Sequence, residues 1–324
     1  MQAVVYTEYG PPDVLQVKEV AKPTPRDDEV LVKVRAVSVN RSDWEGLLGT
    51  PLYARFGGLR RPGRQILGSD IAGSVEAVGR NCRQFQPGDV VFGDILPRMG
   101  GFAEYVCARE RDLVLIPAGM SCETAAAIPQ AGVIALQGIR DKGKVQPGQT
   151  VLINGGGGGA GTFALQLAKL AGAEVTGVDN AGKLDFMCAL GADHVIDYAA
   201  EDFTKNGKQY NLLLDVIAHR SAYDYARALS PGGSYYCVGG AVATLFQILL
   251  LGPWLQRTRG KKIRILAVQP NPQDLARVGE LCAAGELVPV IDRRYPLHEV
   301  PAALQYLGEG RAKGKVVITL ENNN

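Results

Sequence analysis

The chain has 324 residues, 46% of them hydrophobic and 21% charged, with a formal net charge of +2. Length favours two domains, composition an ordinary globular protein, and 40 glycines gathered at turns without a period exclude a low-complexity chain. A nucleic-acid binder is excluded as well, because no face-sized excess of Lys and Arg is available.

Met1 to Tyr6 lack a basic region followed by an apolar one, so nothing marks the start for secretion and a cytoplasmic protein is expected. From there to about residue 120 the chain reads as short strands and turns. Glu29 to Val37 alternates at period two, as a half-buried strand does, and Ile71–Val78 and Asp89–Phe92 continue the pattern around the turn at Pro87-Gly88. A small β-barrel or sandwich lobe is expected. Near Ser121 the pattern changes. Cys122–Ile139 suits a helix broken by Pro129, followed by the strand Thr150–Asn154 and a glycine turn. A helix from about Gly159 to Ala171, the strand Glu174–Val178, a helix at Lys183–Leu190 and strands at His194–Asp197 and Asn211–Asp215 come next. A helix at Ala222–Ala228 and the strand Ser234–Val238 complete the run. Strands alternating with helices predict an α/β fold with a doubly wound parallel sheet. The tail predicts a helix at Asp274–Ala284, a strand at Val288-Pro-Val-Ile, a helix near Val300–Leu307 and a last strand from Lys315, with the last strands returning to the first lobe.

Gly156, Gly158 and Gly161 satisfy G-x-G-x-x-G after a predicted strand and at the opening of a predicted helix, with Asp179 at the end of the next strand. In that context the pattern predicts a nicotinamide dinucleotide held by its pyrophosphate on Gly156, Gly158, Gly159, Ala160 and Gly161. The glycines permit a tight turn and close backbone approach, and the helix N-terminus meets the phosphate charge. Asp179 favours NADH, because a carboxylate accepts from a ribose 2′-OH and repels a 2′-phosphate; Lys183 favours NADPH, because it can pair with that phosphate. The two signals conflict and the choice stays open. No two of the six cysteines lie within four residues of each other, so no zinc knuckle or redox Cys-x-x-Cys is available and buried thiols in a reducing compartment are expected.

Both halves together resemble the medium-chain dehydrogenase/reductase superfamily, in its zinc-free quinone oxidoreductase branch. The likeness rests on Val4-Val5-Tyr6 with Gly10-Pro11-Pro12, Ser38-Val39-Asn40, Leu67 to Gly73, Pro87 to Gly93 and Gly100 to Tyr105. The glycine turn, Leu190 to Tyr198 and Gly314 to Ile318 extend it over essentially the whole chain. The resemblance implies a GroES-like β-barrel lobe (1–121 and 286–324) and a Rossmann lobe (122–285), with the cofactor in a cleft between them. At the positions of the superfamily's catalytic zinc ligands the chain carries Asn40, Ser69 and Gln130, so no metal is expected. The resemblance also places Asn40 near the nicotinamide, Lys183 and Tyr198 near a 2′-phosphate, and Val238, Gly239 and Gly240 along the nicotinamide. Trp44 and Gln130 are expected in the substrate pocket, and Tyr53 or water as proton source.

The function implied is NAD(P)H-dependent reduction of a small hydrophobic quinone or α,β-unsaturated carbonyl by hydride transfer. An alcohol dehydrogenase or ketone reductase is the rival enzyme, and a nicotinamide-binding structural or regulatory protein the rival of another class. Ala241–Leu255 is almost wholly apolar but too short to span a bilayer, and five basic residues follow between Arg257 and Arg264. It has three readings: a lid over a hydrophobic substrate, a homodimer interface beside the edge strand Ile263–Val268, or a peripheral contact with an anionic membrane.

Overall fold

The computed structural model describes residues 1–55 and 58–320. In chain order the elements are β1 (Gln2–Val5), β2 (Gln16–Glu19), β3 (Glu29–Val39), α1 (Arg41–Leu48), β4 (Asp70–Val78), β5 (Val90–Asp94), β6 (Tyr105–Arg109) and β7 (Leu113–Leu115). Then come α2 (Cys122–Ala126), α3 (Pro129–Leu136), β8 (Thr150–Asn154), α4 (Gly159–Leu170), β9 (Glu174–Asp179), α5 (Leu184–Ala189), β10 (His194–Asp197) and β11 (Tyr210–Asp215). The rest are α6 (Ala222–Ala228), β12 (Leu229–Cys237), α7 (Val242–Arg259), β13 (Lys262–Ile265), α8 (Pro272–Ala283), β14 (Ile291–Pro296), α9 (Val300–Gly308) and β15 (Lys315–Thr319). They divide into two compact units, one of residues 1–130, 270–285 and 289–324, the other of 131–269 and 286–288.

The first unit is built on a sheet ordered β14-β15-β3-β4-β5-β7, with β6 also paired to β3. β3 is the hub. It pairs with β4, β6 and β15, so its burial is nearly continuous, with only Lys33 and Arg35 exposed, where simple alternation was expected. Val30, Val32, Val34, Val37 and Val39 all enter one core with Ile71, Phe102, Leu304 and Ile318. Residues 270–285, expected with the dinucleotide lobe, group with this unit, because Gly279 lets α8 approach the Phe92 ring: a Cβ there would meet Cζ at 3.1 Å. The strand expected at Val288 starts instead at Ile291; Pro289 has no N–H to give a ladder.

The second unit holds a six-stranded sheet ordered β10-β9-β8-β11-β12-β13, and all five pairings are parallel. The order reverses between β8 and β11, so the carboxyl ends of those strands form the topological switch point where such sheets bind ligands. β13 is an edge, and α7 covers it. Thr244, Ile248, Gly252 and Leu255 face inward at helical spacing, and Gly252 permits the contact, since a Cβ there would sit 2.3 Å from the Ile263 carbonyl oxygen. The other face of α7 leaves Val242, Phe246, Leu249, Leu250 and Trp254 exposed. Among the described residues no helix is long and apolar enough to cross a membrane.

Candidate active site

Each unit presents one arrangement with chemical capacity. In the second unit β8 ends at Asn154, and Gly155 turns the chain at φ +83° while the N–H groups of Gly155 and Gly156 donate to the Val178 carbonyl at 2.9 and 3.0 Å. Gly161 is required sterically: a Cβ would lie 2.1 Å from the Gly155 carbonyl oxygen, so only glycine lets α4 press against the turn. Gly158 differs. Its φ is −89°, and a Cβ would meet nothing closer than 3.5 Å. Its missing side chain therefore leaves open space at the N-terminus of the 12-residue helix α4, which no side chain caps. Free N–H groups beside an unfilled glycine position fit a pyrophosphate.

Asp179 and Lys183 form one unit instead of two competing signals. Asp179 accepts from the Gly157 N–H (3.0 Å) and the Asn180 N–H (2.9 Å), and Lys183 Nζ lies 3.5 Å from its Oδ1. Both side chains are buried, and the lysine stem crosses Gly157, where a Cβ would meet Cδ at 2.7 Å. The Tyr198 N–H donates to the Asp179 carbonyl, and its ring is half exposed. Val238 donates its N–H to Asp215 and Gly239 accepts from Ala218, which sets this stretch at the switch point; Gly239 is open where a Cβ would stand. Asp215, fully buried, accepts from Asn154 Nδ2 (2.7 Å), the Ile217 N–H and the Tyr235 hydroxyl, tying β8, β11 and β12 together. His219 is a loop histidine whose Nδ1 meets the Ile217 carbonyl.

In the first unit Asn40, Ser69 and Gln130, separated by up to 90 positions, meet at one oxygen. Ser69 Oγ accepts from Gln130 Nε2 (2.7 Å) and Asn40 Nδ2 (3.4 Å). This set of two amides and a hydroxyl holds no thiolate or imidazole and does not fit zinc. Among the described residues no group of three His, Cys, Asp or Glu side chains is placed to hold a metal. Around the three residues stand groups that sequence reasoning missed. Asp70 accepts from Ser38 Oγ and from the Gln130 N–H, all at 3.2 Å, and pairs with Lys315 Nζ at 3.3 Å. Lys315 also donates to Asn40 Oδ1 at 2.5 Å. Asp43 binds the Asn40 and Gly68 N–H groups, and Asp94 accepts from the Leu96 N–H (2.8 Å) and Gln130 Nε2 (3.4 Å). The signal for Asp70 lay in the Gly68-Ser69-Asp70 run; for Lys315 it was a lysine opening an otherwise apolar strand. Two further expected residues make contacts of their own. The Trp44 indole packs onto Gly308 of α9, and Tyr53, half exposed, gives its hydroxyl proton to Glu45.

Burial pushes the Asp94 carboxyl up to about 8, reinforced by the charge of Asp70. Asp43 rises to about 7 by burial, against two backbone N–H bonds, and burial raises Asp70 against Lys315. An unfolded Asp titrates near ~3.9, so between about pH 4 and 8 the folded chain holds a proton on Asp94 that the unfolded chain has lost, and the stability it contributes falls as pH rises. The melting temperature of the wild type relative to Asp94→Asn should therefore drop steadily from pH 4 to pH 8. A difference constant across that window would remove Asp94 from the titrating set.

Comparison with known proteins identifies the family. Residues 26–118 match the family model "Alcohol dehydrogenase GroES-like domain" and residues 190–318 the model "Zinc-binding dehydrogenase". The chain is 32% identical to the 2-methylene-furan-3-one reductase of Solanum lycopersicum, over 98% of this chain and 79% of that one. It is 31% identical to the chloroplastic quinone-oxidoreductase homolog of Spinacia oleracea, over 98% of each. The solved quinone oxidoreductase of Coxiella burnetii superposes with a TM-score of 0.88 at 28% identity, over 99% of each chain.

Proposed function

The chain belongs to the medium-chain dehydrogenase/reductase family, in its quinone oxidoreductase branch, as an NAD(P)H-dependent oxidoreductase of quinones or α,β-unsaturated carbonyls; from that premise we propose how its residues divide the reaction. The observation that carries the reading is the meeting of Asn40, Ser69 and Gln130, the residues that the resemblance sets at the positions of the family's zinc ligands, as hydrogen-bonding side chains at one oxygen. The nicotinamide supplies the hydride. Asn40 Nδ2 donates to the oxygen of the acceptor, where charge develops as the β-carbon is reduced, and Gln130 fixes Ser69 beside it. The N–H groups of Gly159, Ala160 and Gly161 would hold the pyrophosphate, with Gly156 and Gly158 leaving room for it, and Val238, Gly239 and Gly240 would line the nicotinamide. Protonation comes from water. The Tyr53 hydroxyl is given to Glu45, and burial with the Glu45 charge pushes its phenol up to about 12, which makes it a poor donor.

For the cofactor, the Asp179–Lys183 pair supports use of both nucleotides. A carboxylate held by two N–H groups and offset by Lys183 neither repels a 2′-phosphate strongly nor stands free for a 2′-OH. We expect kcat/KM for NADPH and NADH to fall within about tenfold, a difference of about 1.4 kcal/mol. Lys183→Ala should raise KM for NADPH about tenfold, the scale of one charge-assisted hydrogen bond, and leave NADH within twofold. An equal effect on both would mean that Lys183 does not read the 2′ position. The overall test is oxidation of NADPH and NADH against quinones, enones and nitroalkenes, with alcohols and ketones beside them. Stoichiometric zinc with alcohol turnover would replace this reading with a dehydrogenase. Binding without oxidation by any acceptor would replace it with a nicotinamide-binding protein.

A further inference from the structure

Lys315 is only 3% exposed, and no step above uses it. An ammonium is rarely buried, because its desolvation is costly unless charge and hydrogen bonds replace water. Here Asp70 supplies the charge at 3.3 Å and Asn40 Oδ1 a hydrogen bond at 2.5 Å. The lysine opens β15, where its own N–H is bonded to the Val290 carbonyl, and β15 is laddered to β3 with Val316 opposite Val39, so its Cα is fixed close to Asn40.

A lysine ammonium has three donors and no acceptor. An asparagine amide has two faces, one accepting and one donating. With Lys315 Nζ against it, Asn40 must present its oxygen to the lysine and its nitrogen away from it, toward Ser69 Oγ. We propose that Lys315 is a positioning residue: it fixes the flip of the Asn40 amide, so that Nδ2–H is offered as the donor to the acceptor oxygen. The bond from a charged donor to the amide oxygen also polarises the amide and strengthens its N–H as a donor. Asp70 anchors the lysine, and the Ser38 hydroxyl and the Gln130 N–H anchor Asp70. The proposal rests on the reading of Asn40 given above.

The test pairs Lys315→Met with the double variant Lys315→Met/Asp70→Asn, which removes both charges together and leaves no unpaired buried carboxylate if the single variant fails to fold. Expected is a fall in kcat of about 10- to 100-fold, below or at the loss typical of one oxyanion donor, with KM for NADPH unchanged. Adding Asn40→Ala to either variant should then cost less than about threefold more, since both changes remove one interaction. A purely structural lysine would give losses that multiply with Asn40→Ala, and that outcome, or an unchanged kcat in the double variant, overturns the proposal. If Asn40→Ala alone leaves activity intact, the Asn40 reading fails first. Selective 15N-asparagine labelling separates the two even without turnover: the Asn40 side-chain amide signal, assigned by its loss in Asn40→Ala, should move in Lys315→Met/Asp70→Asn. An unmoved signal would show that Lys315 does not orient it.

Discussion

Gly161→Ala is expected to weaken NADPH and NADH binding at least 100-fold, about 2.7 kcal/mol, and to lower stability by about 2–3 kcal/mol. The added methyl would stand 2.1 Å from the Gly155 carbonyl oxygen, 2.7 Å from Gly156 Cα and 2.8 Å from the Gly155 carbonyl carbon. All three are backbone atoms of the turn itself, so no side chain can swing aside. Either α4 tilts off β8 or the turn opens, and in both cases the N–H groups at the start of α4 would lose the arrangement proposed to hold the pyrophosphate. Gly158→Ala is the control, because its methyl meets no protein atom nearer than 3.5 Å and its φ of −89° suits alanine. It should melt within about 1 °C of the wild type, as a surface change does, yet on the proposed reading bind dinucleotide more weakly, since it would fill the space proposed for the ligand. Thermal unfolding and a fluorescence titration with each nucleotide read both effects. Wild-type affinity in Gly161→Ala would mean that the dinucleotide does not use this turn.

What sequence could disclose follows from how local each signal is. The glycine turn was legible because all its constraints lie within one strand–turn–helix segment, from Asn154 to Gly161. The parallel sheet was legible because β8, β9 and β11 are short apolar runs bounded by turns. β14 was misplaced. Its stretch, Ile291 to Pro296, carries Asp292, Arg293 and Arg294, which an edge strand tolerates, while Val288-Pro289-Val290 at the start of the expected strand includes a proline that lacks a donor. The buried polar cluster was only half legible. Family resemblance marked Asn40, Ser69 and Gln130, whereas the place of Lys315 at the start of an apolar strand says only that it differs from the exposed Lys313 and not what it meets. Burial of that lysine is set by β15 pairing with β3 across 275 positions. The Asp179–Lys183 conflict had the same origin. Sequence reading treats two opposite charges as rival ligands, whereas the short turn from the end of β9 to the start of α5 folds Lys183 back onto Asp179 and lets them pair.

Asp43 carries the second large effect, because its two carboxylate oxygens serve different backbone groups. Oδ2 accepts from the Asn40 N–H at 2.8 Å, and Oδ1 accepts from the Gly68 N–H at 2.9 Å. The first bond closes the N-terminus of α1; the second ties that terminus to the chain entering β4, next to Ser69. Asp43 is wholly buried, so water cannot replace either bond. Asparagine keeps one acceptor and turns an amide N–H toward the other donor, which leaves two N–H groups facing each other without an acceptor. Each unsatisfied buried group costs about 1–3 kcal/mol, so above about pH 7, where Asp43 is ionised, Asp43→Asn should lose about 3 kcal/mol and be no more stable than Asp43→Ala. Activity should fall further than stability explains. At a temperature where the variant is still folded, kcat should drop several-fold because Asn40 is no longer held against Ser69, while nucleotide affinity, which we propose belongs to the second unit, should stay at the wild-type value. An Asp43→Asn variant that melts with the wild type would show that the two N–H bonds contribute nothing net. One that loses nucleotide affinity in proportion to kcat would trace the defect to general unfolding instead of to Asn40.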